Sequence, residues 1–186
     1  SENLLKTMNM MIEVDVLLIR QIELKYLTKI KKLYYLLALE TGKSPNVSKL
    51  AETIDTSRAT VMNYIKYLAD ARLLNIIYHQ GSVFPKKPAM VVVNNPNLIY
   101  TVYPRNFGDR EILNSFFINQ LRKDHTVNKE RATDAYRIDG ETSVRISAEG
   151  EGESRARGKK NYYTASSGLV VGKGRKIPLW LFGFLY

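Results

Sequence analysis

The chain has 186 residues, 45% apolar and 25% charged, with no cysteine and only two histidines, His79 and His125. These proportions are ordinary for a globular protein and exclude global disorder; the missing cysteines exclude disulfides and thiolate metal sites and point to a reducing, cytoplasmic setting. The net charge of +10, from 28 Lys and Arg against 18 Asp and Glu spread over both halves, favours a polyanionic partner, nucleic acid first.

The opening Ser1-Glu2-Asn3 carries neither an initiator methionine nor a signal-peptide pattern, and so reads as a cut from something longer. Residues 1–22 mix apolar and acidic side chains without a clean period. From Glu23 to about Leu39 the spacing of Leu27, Ile30, Tyr34, Leu37 and Ala38 is helical, with Lys29 and Lys32 outward, and Thr41-Gly42-Lys43-Ser44-Pro45 stops the helix. Asn46 to Ile54 is a short second helix that Asn46 can cap. After the turn Asp55-Thr56-Ser57, a third helix runs from Arg58 to about Leu68 and buries Val61, Ile65 and Leu68. Two helices joined by such a turn match a helix-turn-helix.

Two β-type runs follow, Leu74 to Tyr78 and Ala89 to Val93, joined by a loop that contains Lys86 and Lys87. Three helices followed by a hairpin form the winged-helix arrangement, expected over residues 23–100. Leu98 to Phe107 is read as a short helix and linker, with a second domain over 101–186. Asp109 to Leu121 is an amphipathic helix with Ile112, Leu113, Phe116, Phe117 and Leu121 on its inner side. Beyond it, alternation at 135–139, 143–147, 162–165, 169–171 and 177–186 suggests a small mixed sheet, giving an α+β chain. The apolar ending around Trp180 reads as a buried core strand, and 148–160 as a solvated polar tract. No run reaches the ~18–20 apolar residues of a membrane span.

Three motifs bear on chemistry. Gly42-Lys43-Ser44 looks like the end of a phosphate-binding loop, but that motif needs a glycine five residues earlier, where Leu37 stands within a helix, so a plain helix stop is the better reading. The third helix carries Thr56, Ser57, Arg58, Thr60, Asn63, Lys66 and Tyr67 as outward residues. Arg58 suits guanine, Asn63 adenine, and Lys66 and the hydroxyls suit phosphates, with Lys86 and Lys87 reaching a flanking groove of double-stranded DNA. The dull alternative is a solvated face on a protein-docking module. A metal-dependent nuclease would need converging carboxylates and a lysine. Glu111 and Asp139 supply two acids, but Thr142 to Ser147 offers Arg145 and Ser147 where an acid and a lysine are needed.

Lys29 to Leu33, Pro45 to Leu50, Ser57 to Leu68, Asp70 to Leu74 and Lys176 to Tyr186 together resemble the C-terminal region of a group of bacterial and archaeal AAA-family ATPases. The resemblance implies an upstream P-loop ATPase domain, to which residues 1–22 would form the remnant junction, then a winged helix, then a domain similar to PD-(D/E)xK nucleases. On that basis ATP and Mg²⁺ belong to the ATPase domain, this chain holds no cofactor or metal and is no enzyme, and the last domain is a degenerate nuclease in which Glu111 and Asp139 hold the early acidic positions. The implied partners are DNA and the chain's own or a neighbouring ATPase domain. The rival readings are an active metal-dependent DNA nuclease and a purely protein-binding region that regulates the ATPase.

Overall fold

The computed structural model describes Lys6, Asn9, Met10, residues 12–14, 24–97, Ile99, 109–151 and 161–184. The junction expected over 1–22, the helix and linker over 98–107 and the polar tract over 148–160 therefore lie mostly outside the described residues. Within them the protein is mixed α+β.

Helix α1 spans Leu24–Leu39. Its apolar residues at spacings of three and four put Leu27, Ile30, Leu33, Tyr34, Leu37 and Ala38 into the first hydrophobic core. Gly42, at φ +83, ends the turn that follows in the left-handed region, where a side chain would be strained. The chain then pairs with a later strand: the Gly42 amide donates to the Val91 carbonyl at 2.9 Å and the Val91 amide to the Lys43 carbonyl at 3.0 Å. Helix α2 is Val47–Thr53, and the Asn46 side chain accepts from the Lys49 amide at its open N-terminus. Asp55, at φ +50, makes the tight turn. That turn is fastened to α1 by Lys32 donating to the Thr53 carbonyl at 2.8 Å and by Lys29 donating to the Asp55 carbonyl and side chain.

Helix α3, Arg58–Asp70, begins where the Ser57 hydroxyl accepts from the Thr60 amide. It buries Val61, Tyr64, Ile65 and Leu68 against α1 and α2. The chain then enters a hairpin of β1, Leu74–Ile77, and β2, Met90–Val93, paired antiparallel with Leu74 opposite Val93 and Ile77 opposite Met90. Alternate residues of a strand point to opposite faces, and both faces of this hairpin are covered. Leu74, Val91 and Val93 pack into the first core, while Ile77, Met90 and Val92 pack into a second.

That second core lies between the hairpin, helix α4 (Asp109–Leu121) and a five-stranded sheet. The sheet runs in order β3 (Val127–Lys129), β4 (Tyr136–Ile138), β5 (Thr142–Ser147), β6 (Tyr162–Ser166), β7 (Lys176–Pro178). Its first three strands form an antiparallel meander, and β6 and β7 continue it in parallel. The hairpin is tied to this half by polar bonds as well. Ser115 Oγ donates to the Val93 carbonyl at 2.6 Å, an Arg122 guanidinium nitrogen to the Ile76 carbonyl at 2.7 Å, and the Lys129 amide to the Tyr78 carbonyl at 2.9 Å.

Several expectations are corrected. Residues 169–171 form no strand, and Val170 and Val171 are 78% and 74% exposed. The ending is not a long core strand: β7 stops at Pro178, a 3-10 helix covers Leu179–Phe184, and Trp180 and Phe184 are 48% and 62% exposed. Proline lacks the amide that a strand would donate, and the run is too short to alternate between two faces. On α4 the fully packed side is Ser115, Phe117, Ile118 and Leu121, with Ile112, Leu113 and Phe116 only partly buried. A serine faces inward there because the Val93 carbonyl needs a donor.

Candidate nucleic-acid interface

At about 100° per residue along a helix, the side of α3 opposite its buried stripe carries Ala59, Asn63, Lys66 and Asp70, with Met62 and Tyr67 on the shoulders. Asn63 and Arg58 are exposed, and neither makes a hydrogen bond or ion pair among the described residues. Lys66 is not idle: its ammonium lies 3.0 Å from Asp70 in an i,i+4 pair. Such an exposed pair contributes only about 0.3–0.5 kcal/mol, so a phosphate can compete for the lysine. Ser57 and Thr60 are engaged in the cap, with their hydroxyls 2.8 Å apart, and Thr56 and Tyr67 are half-buried. The face therefore offers Asn63 directly and Lys66 through exchange, with Arg58 exposed off this face in the first turn, while Asp70 is an acid on the same face that spacing alone had placed only as a helix extension.

Lys86 and Lys87 are exposed in the β1–β2 loop. The other side of that loop is fixed, because His79 Nδ1 lies 2.8 Å from the Lys129 carbonyl oxygen and residues 78 and 79 run alongside β3. The lysines are thus presented from an anchored base.

Glu111 and Asp139 are not brought together. Glu111 is in the first turn of α4 beside Gly42, whereas Asp139 follows β4 and bonds to His125 and Thr126, beyond the last turn of that helix. A 13-residue helix is about 20 Å long, which sets the scale of their separation. Hydrogen bonds from His125 Nδ1 at 2.7 Å and the Thr126 amide at 2.8 Å hold the Asp139 carboxyl below its usual range.

The charged cluster of this half centres elsewhere, on Asp134 at the entry to β4. Arg110 from α4 and Arg145 from β5 both reach its Oδ2, at 2.6 and 3.0 Å, and both also approach Glu151 at 3.8 and 3.4 Å. Burial pushes the Asp134 carboxyl up, but the hydrogen bonds and charges of Arg145 and Arg110 outweigh it and hold it below its ordinary value. Two guanidiniums thus satisfy two carboxylates. Among the described residues no group of three or more His, Asp or Glu side chains is arranged to hold a metal ion. The pairing of Asp134 with Arg110 went unnoticed in the sequence because the two are separated along the chain and meet only when the sheet forms.

Gly42-Lys43-Ser44 forms the helix stop and the pairing with Val91, and Ser44 Oγ donates to the Pro88 carbonyl at 3.0 Å. No helix among the described residues is long and apolar enough to cross a membrane.

Residues 4–89 match a family described as a domain of unknown function (DUF8612), a stretch that takes in α1 to α3 and β1 and ends before β2. No curated protein and no solved structure matches the chain.

Proposed function

We propose that this chain is a non-catalytic DNA-binding region in which α1 to α3 and the hairpin act as a winged helix and α4 with β3 to β7 as a degenerate PD-(D/E)xK-like domain, serving an AAA-type ATPase. The observation that carries the reading is the state of α3. It is capped by Ser57, packed along Val61, Tyr64, Ile65 and Leu68, and leaves Arg58 and Asn63 at the surface with Lys66 beside them. Further support is the isolated β-bridge of Lys43 with Val91, which ties the connection between the first and second helices to the hairpin. The ATPase link rests on the sequence resemblance, and binding of this chain to an isolated ATPase domain of that family tests it.

The mechanism is electrostatic first. Arg58, Lys66, Lys86 and Lys87 displace counterions from the DNA backbone, while Asn63 and Arg58 supply the donors that base edges recognise. Titration of a labelled duplex at low salt measures this directly. Saturable binding that is lost in Arg58→Glu/Asn63→Asp, with an unchanged circular dichroism spectrum, is the expected result. No binding at low salt removes the reading.

The chain carries no cleavage activity in this reading, because Arg145 already pairs with Asp134 and Glu151 and stands where the resemblance to nucleases calls for an acid. Plasmid cleavage in Mg²⁺ or Mn²⁺ that Asp134→Ala or Asp139→Ala abolishes would overturn that assignment in favour of an active nuclease. One observation favours a second reading, a protein-binding region that regulates the ATPase. Trp180 and Phe184, edge-on at 5.9 Å, lie exposed with Leu181 at the C-terminal end.

A further inference from the structure

Between the β1–β2 loop and the β3–β4 connection lies an open concavity of about 490 Å³ lined by Gln80, Gly81, Lys129, Glu130, Arg131 and Arg137 among others. We propose that this concavity is a phosphate-binding site, with Arg131 and Arg137 as its cations and Gln80 as a neutral donor on the rim. It takes either the phosphodiester backbone of nucleic acid or the phosphates of a free nucleotide. The inference does not depend on α3 touching DNA.

Four features support it. First, the charge balance is positive, since two cations face one carboxylate, and Glu130 is directed into the fold. It receives Arg137 at 2.9 Å and the hydroxyls of Ser143 and Thr133 at 2.6 and 2.7 Å. Secondly, the carboxylate of Asp134, at the entry to β4, is already shared by Arg110 and Arg145 and does not compete for these cations.

Thirdly, one cation is positioned in advance and the other is left to engage a ligand. Arg137 donates to Glu130 and to the Glu141 carbonyl, which leaves donors of its five free. Exposed Arg131 makes no bond among the described residues. Fourthly, the walls are fixed to each other, through His79 on the Lys129 carbonyl and the Lys129 amide on the Tyr78 carbonyl. A planar guanidinium matches phosphate oxygens in pairs, and the volume falls within the ~300–1,000 Å³ of small-ligand pockets.

The test is calorimetric titration of the full chain at pH 7 with inorganic pyrophosphate and, separately, with a short DNA duplex. Pyrophosphate is expected to bind saturably, and Arg131→Glu to weaken it by about tenfold or more. Gln80→Glu, which places a carboxylate on the rim, does the same should the first variant fold poorly. Arg58→Glu, outside the concavity, leaves pyrophosphate binding unchanged. If nucleic acid is the source of the phosphate, Arg131→Glu also weakens the duplex; if a free nucleotide is, only the pyrophosphate arm moves. Absence of pyrophosphate binding at millimolar concentration, or equal weakening by Arg131→Glu and Arg58→Glu, overturns the site. A duplex unaffected by Arg58→Glu would instead count against the α3 reading alone.

Discussion

Ser115 faces the hairpin from the inner side of α4, where its hydroxyl donates to the Val93 carbonyl, and the Val93 amide donates to Thr41 Oγ1 at 3.0 Å. One residue of β2 is therefore satisfied by side chains from both halves of the molecule. Ser115→Ala removes a buried donor and leaves an acceptor without it, which costs about 1–3 kcal/mol; urea denaturation reads the loss. Lys129 gives a pH test. Burial lowers its pKa from 10.5 to about 8, with Asp134 opposing and Arg110 reinforcing that fall. The unfolded chain then holds the proton more tightly than the folded one, so this residue's contribution to stability rises as pH increases from about 8 to about 10.5. Tyr34 and Tyr136, pushed up by burial, act oppositely above pH 10 because the unfolded chain then holds fewer protons. Denaturation midpoints at pH 7.5 and 9.5 should show a rise that Lys129→Met flattens. Neither role was legible in the sequence. Ser115 looks like a polar interruption of an amphipathic helix, and Lys129 lies on a three-residue strand that alternation does not reveal.

Among the elements, α3 was the most legible. Its cap, its stripe of Val61, Ile65 and Leu68, and its outward Arg58 and Asn63 follow from spacing and from the preference of serine for helix N-termini. Ser57→Ala should accordingly cost about 1 kcal/mol in denaturant unfolding and fray the turn that carries Arg58. The α4 boundaries were equally readable, because Asp109 and Glu111 suit the positive end of a helix. The C-terminal elements were not. Val170, Val171 and the run from Leu179 to Phe184 are apolar, and composition alone assigns such residues to the core. The turn at Gly174 and the proline at 178 decide otherwise, leaving β7 at three residues. The Asp134 cluster was hidden for a related reason, since its members come from α4, β5 and two loops and no spacing rule joins them.

At the scale of the molecule, the division expected near residue 100 meets a hairpin that belongs to two cores. Ile77, Met90 and Val92 are buried against α4 and the sheet, while Val91 and Val93 are buried against the helices. A fragment of residues 23–100 would expose the first three side chains together. It is expected to bind hydrophobic dye or self-associate, whereas the full chain unfolds in one cooperative step; a monomeric, cooperatively folding fragment would contradict this. The same arrangement explains how Lys86 and Lys87 extend from an anchored loop on the module that carries α3. The most direct measurement of the account is the salt dependence of duplex binding by the full chain and by Arg58→Ala. The account expects log K to fall linearly with log salt, and the slope to lessen by about one for the loss of one phosphate contact. A slope unchanged by the substitution, or no binding even at low salt, would contradict it.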